Sequence, residues 1–74
     1  MIPILTCRDT DDKDYWEDRL NKADRNICEK MLGELIEIIA RRAVRGIPSY
    51  WLEDRRIEGE NIFHARFGEN FIPF

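Results

Sequence analysis

Seventy-four residues with 15 acidic and 12 basic side chains carry a formal net charge of −3 and a pI near 5.1. A hydrophobic share of 43% excludes a disordered chain, and the length suits one thin-cored domain, 1–74. The acidic balance disfavours nonspecific binding to nucleic acid or to an anionic membrane, which both require surplus Lys and Arg.

The charge is unevenly placed. Asp9, Asp11, Asp12, Asp14, Glu17 and Asp18 crowd into residues 9–18 against the single base Lys13. From residue 25 onward acids and bases are equal in number, so the whole excess sits near the N-terminus. Cys7 and Cys28 are too few for a disulfide framework. Met1–Leu5 is apolar but far shorter than the apolar core of a signal peptide, and no basic flank precedes it. The expectation is a cytoplasmic protein, and whether the two thiols pair stays open.

In chain order, Ile2–Thr6 is short and β-branched and predicts an N-terminal strand, with Pro3 suited to an edge. Asp9 or Thr10 offers an N-cap for a first helix over Asp11–Leu20, with Trp16 and Leu20 on its inner face. Asn21-Lys22-Ala23-Asp24 opens a long central helix, about 23–45. Ile27, Cys28, Met31, Leu32, Leu35, Ile36, Ile38, Ile39 and Ala43 fill about half its circumference. Arg41, Arg42 and Arg45 match the dipole at its end, and Gly46 and Pro48 stop it. Ser49 suits the cap of a short turn through Tyr50, Trp51 and Leu52. Gly59 punctuates, Asn61–Phe67 alternates, and Gly68-Glu69-Asn70 turns into Phe71–Phe74, which together predict a C-terminal β-hairpin. The expected fold is α+β: a small antiparallel sheet covered by two helices.

No cofactor or metal is expected. The acidic run fails the calcium-loop pattern, because Lys13 and Asp14 stand where an acid and a glycine are needed. His64, Cys7 and Cys28 lack zinc spacing. Cys28 with His64 is the one conceivable nucleophile and base, but Cys28 lies on the apolar face of the long helix, where a cysteine is usually core filler. No phosphate-binding loop is present, so the enzyme reading leans to no.

Two surface features remain. The acidic run serves either as a solvated helix start or as a docking face for a basic partner, including mimicry of nucleic-acid phosphates. Tyr50 and Trp51 are adjacent, so a thin core fully buries at most one of them, and an exposed ring is a typical interface anchor.

Residues 57–67, with Phe63-x-x-Arg66, preceded by a long helix and Pro48, resemble the middle strands of toxins of the RelE/HigB superfamily. That resemblance implies an RNA-directed domain or its remnant, with Arg55, Arg56, His64 and Arg66 as a basic face, and carries over no catalytic residue. In size and acidity the chain is also similar in kind to small phage-encoded inhibitors, such as anti-CRISPR and anti-restriction proteins. The leading expectation is a non-enzymatic binding protein that meets a basic partner, of the kind found in nucleic-acid-handling machinery. Its contacts are Asp9, Asp11, Asp12, Asp14, Glu17, Asp18, Tyr50 and Trp51. A homodimeric module using surplus apolar surface is the further alternative.

Overall fold

The computed structural model describes residues 3–72. It consists of α1 (Cys7–Asp11), α2 (Lys13–Lys22), α3 (Arg25–Val44) and α4 (Tyr50–Phe67), with no strand among the described residues. The expected α+β fold is therefore wrong: neither the N-terminal strand, nor the hairpin, nor the sheet forms.

Much of the acidic run starts helices. Thr6 and Asp9 form a reciprocal capping box at α1. Asp12 accepts from the Tyr15 amide at 3.2 Å and caps α2, and Asp24 accepts from the Ile27 amide at 2.8 Å and caps α3. The single first helix expected over 11–20 is instead two helices broken at Asp12, whose backbone is extended (φ −118°, ψ 104°).

In α3 the fully buried residues are Cys28, Met31, Leu32 and Leu35, an i, i+3, i+4, i+7 stripe. The helix ends in a Schellman motif. Gly46, at φ 70°, donates to the Ala43 carbonyl, and Ile47 donates to that of Arg42, each at 3.0 Å.

The hairpin was expected where α4 runs. Leu52, Gly59 and Phe63 are buried along one stripe of this helix, and Phe67 is half-buried on the same line. Phe63 and Phe67 are also four residues apart, so alternation over seven residues fits a helix turn as well as a strand. Gly59 is a close-approach site, not punctuation. A Cβ there would stand 2.5 Å from Leu32 Cδ2 and 3.0 Å from Trp16 Cζ2. Gly68 (φ 70°) donates to the His64 carbonyl at 2.9 Å and ends the helix, where a hairpin turn had been expected. Phe71 then folds back edge-on to Phe63, with ring centroids 5.7 Å apart. The ends of both expected outer strands, residue 2 and residues 73–74, lie outside the described residues.

Pro3–Thr6 does have backbone polar groups to satisfy, and no strand pairs with them. The Ile4 and Leu5 amides donate to the Glu34 carboxylate of α3 at 3.0–3.1 Å, and Arg19 Nη1 of α2 donates to the Ile4 carbonyl at 3.2 Å. Side chains from two helices thus replace a sheet ladder.

The helix α4 touches all of α1, α2 and α3, and Trp16, Leu20, Cys28, Met31, Leu32, Leu35, Leu52 and Phe63 form the core at their junction. Trp16 Nε1 donates to the Arg55 carbonyl at 2.8 Å. Arg66 reaches from α4 to the carbonyls of Leu20 and Ala23 at the end of α2, which lack an intrahelical partner. Among the described residues no helix is long and apolar enough to cross a membrane.

Candidate functional site: an acidic rim beside an aromatic groove

The six acids of residues 9–18 separate by environment. Asp9 is completely buried. One of its oxygens accepts from the Thr6 amide at 2.8 Å and pairs with Arg19 Nη1 at 2.5 Å. It belongs to the packing of α1 on α2 and is not available to a partner. Asp12 caps α2 and lies 4.0 Å from Arg8 Nε. Asp18 is exposed and pairs with Lys22 at 3.0 Å. Asp11 and Asp14 are exposed, Glu17 is half-buried, and none of these three forms an ion pair among the described residues. Asp14 precedes Glu17 by three residues and Asp18 by four, so they share one face of α2, while Trp16 and Leu20 turn inward.

Tyr50 is 79% exposed and Trp51 43% exposed. Both rings occupy the first turn of α4, and Leu52 is the residue there that enters the core. Trp51 borders a groove of about 280 Å³. The N-terminal segment and α1 contribute Leu5, Thr10 and Asp11 to it, and α3 contributes Ile38 and Arg42. The acidic rim and the exposed tryptophan, 40 residues apart in sequence, therefore meet at Asp11.

Arg42 organises this corner. Its guanidinium carbon lies 5.0 Å from the Trp51 ring centroid. Its Nε donates to Ser49 Oγ at 2.6 Å, and its Nη2 donates to the Pro48 carbonyl at 3.3 Å. Ser49 holds the N-cap position of α4, but its hydroxyl makes no cap bond and is engaged by Arg42 instead. The short turn expected after Ser49 continues to Phe67.

The basic face expected from Arg55, Arg56, His64 and Arg66 does not gather. Arg55 donates to Glu58 at 2.6 Å, and Arg56 donates to Glu53 at 2.9 Å and Glu60 at 2.7 Å. The hydrogen bonds that Arg56 donates to Glu60 and then to Glu53 raise its pKa further. Arg66 is spent on the carbonyls at the end of α2, and His64 is exposed. The two cysteines are free, Cys7 exposed and Cys28 buried. Burial pushes the Cys28 thiol pKa up, against the opposing pull of Arg66, and Cys28 Sγ donates to the Leu20 carbonyl at 3.3 Å. A thiol so placed is poor in thiolate and therefore poorly nucleophilic. No group of three His, Cys, Asp or Glu among the described residues is arranged to hold a metal.

Sequence reasoning missed a second patch. Val44 (88% exposed) and Ile47 stand out at the turn between α3 and α4, next in sequence to Tyr50 and Trp51 and to Arg41, Arg42 and Arg45. The signal was in view as three arginines near a helix end, but dipole matching had accounted for them.

The chain matches no known family model, curated protein or solved structure. Fold and site together define a small four-helix domain with an open groove at Trp51 that Asp11 and Arg42 both line.

Proposed function

We propose that this chain is a non-enzymatic binding domain that engages a basic protein through Asp11, Asp14, Glu17 and Asp18, with Trp51 and Tyr50 as the aromatic anchor. The observation that carries the reading is the meeting of Asp11 and Trp51 at one groove. Exposed carboxylates, of which Asp11 and Asp14 make no ion pair among the described residues, speed encounter with a basic surface and select its charge, while an aromatic ring supplies binding energy. Asp9 drops out of the contact set because it is buried, and Asp12 contributes mainly as a cap. A basic component of nucleic-acid-handling machinery is the partner class with the matching charge.

The test is affinity capture with the immobilised chain, side by side with a variant carrying Asp11→Asn, Asp14→Asn and Asp18→Asn. Asp12 is left in place so that the cap of α2 survives. A basic protein retained by the wild type, released by salt and lost with the variant is expected. The Trp51→Ala change should weaken the same complex by about 2 kcal/mol, the scale of an interface hot spot, without altering the helical content. Equal retention by wild type and both variants would sink the reading.

A further inference from the structure

We infer that this chain forms a two-fold symmetric homodimer through the groove at Trp51 and the adjoining turn between α3 and α4. Among the described residues, four of the six large hydrophobic side chains that stand exposed, Val44, Ile47, Tyr50 and Trp51, fall within residues 44–51. An apolar cluster of this kind, rimmed by charge, marks an interaction surface. What covers it follows from the charges on either side. Asp11, from α1, and Arg42, from α3, line the same groove. A second depression, lined by Ile38, Arg41, Arg42 and Arg45, adjoins the first through Ile38 and Arg42. The surface thus runs from an acidic side (Asp11, with Asp14 three residues further on) across Trp51 to a basic side (Arg45, beside the Arg41–Glu37 ion pair).

A surface with one charge on each side of an apolar middle is complementary to itself under a two-fold rotation. The acidic side of each copy meets the basic side of the other, and the aromatic middles stack on the axis. Arg45 makes no ion pair among the described residues, and Asp11 and Asp14 make none either, so all three are free to pair across the axis. A stable dimer buries about 800 Å² per copy. Against the 5152 Å² that the chain exposes, that is roughly a sixth. The inference stands apart from the binding reading above, because it concerns the pure chain. It also adds a consequence: a basic partner would compete with the second copy's arginines for Asp11 and Asp14.

The experiment is sedimentation equilibrium of the purified chain with two charge-reversed variants, one with Asp11→Arg and Asp14→Arg, the other with Arg41→Asp and Arg45→Asp. The wild type is expected at dimer mass, shifting toward monomer in about 1 M salt, where screening shortens to about 3 Å. Each variant alone places like charges face to face in both halves of the interface and should dissociate at least about tenfold more readily. Mixing the two restores opposite charges in both halves, so the mixture should recover dimer mass. The Val44→Ser change, at a position too exposed to matter for folding, should weaken the dimer without shifting the melting temperature. A wild type that stays at monomer mass at about 1 mM overturns the inference. So does a mixture that fails to associate although both variants melt like the wild type, or an open series of higher oligomers, which a head-to-tail contact would give. Binding of a monomeric wild type to phosphatidylserine vesicles, lost on changing Arg41 and Arg45, would assign the patch to a lipid surface and likewise overturn it.

Discussion

At the scale of single residues, Gly59 carries more of the fold than its lack of a side chain implies. Two effects of a methyl group at this position oppose each other. Ala is favoured over Gly inside a helix by about 1 kcal/mol. Yet the new Cβ would stand 2.5 Å from Leu32 Cδ2 and 3.0 Å from Trp16 Cζ2, in a region where both neighbours are fully buried. Overpacking of this kind typically costs about 1–3 kcal/mol. The Gly59→Ala change should therefore destabilise the chain, against its helix propensity, and denaturant unfolding checks the sign. A stabilised variant would mean that α4 does not press on Leu32. Asp9 makes a related point. Its type predicted a surface charge, but Thr6 and Arg19 together satisfy one of its oxygens inside the domain.

At the scale of elements, the N-terminal segment is held by an acid from a helix, a device that periodicity does not reveal. The Glu34 carboxylate accepts from two consecutive amides, Ile4 and Leu5. Hydrogen bonds to a charged group are worth about 1.5–3 kcal/mol each when partly shielded from water. Changing Glu34→Ala should free the segment while leaving the helices in place. Amide hydrogen exchange at Ile4 and Leu5 should accelerate by more than about tenfold, with little change at Met31 or Leu35. Uniform acceleration across the chain would show that the segment is part of the core and not a strap upon it. The expected C-terminal hairpin fails for a different reason. Short runs such as Phe63-His64-Ala65-Arg66-Phe67 satisfy both periods, and the buried line from Leu52 through Gly59 to Phe63 selects the helix.

At the scale of the whole molecule, eight buried hydrophobic side chains among the described residues hold four helices, and α3 supplies four of them. The centre of its buried stripe lies at Met31–Leu35, while Ile39 is only partly covered. Leu35→Ala should cost about 2–5 kcal/mol, enough in a domain this small to remove cooperative thermal unfolding. Ile39→Ala should cost distinctly less, because its truncation leaves no closed cavity. Equal losses, measured by calorimetry or denaturant titration, would mean that α3 is rotated from the orientation described.

Local chemistry by itself determined several features of this protein. Asp24 starts the long helix and Gly46 ends it, because a side-chain oxygen and a left-handed residue are needed at those two places whatever surrounds them. Trp16 and Leu20 face inward because they are four apart on an amphipathic turn. The unpaired charge of Asp11 and Asp14 was equally visible as composition. Only the tertiary structure decided that Gly59 is a crossing point, that Asp9 is interior, that Glu34 and Arg19 replace a neighbouring strand, and that Trp51 meets Asp11 at one groove. Each of these depends on contacts between residues distant in sequence. A short run with two admissible periods, or an acid in a charged stretch, acquires its role from whichever element packs against it.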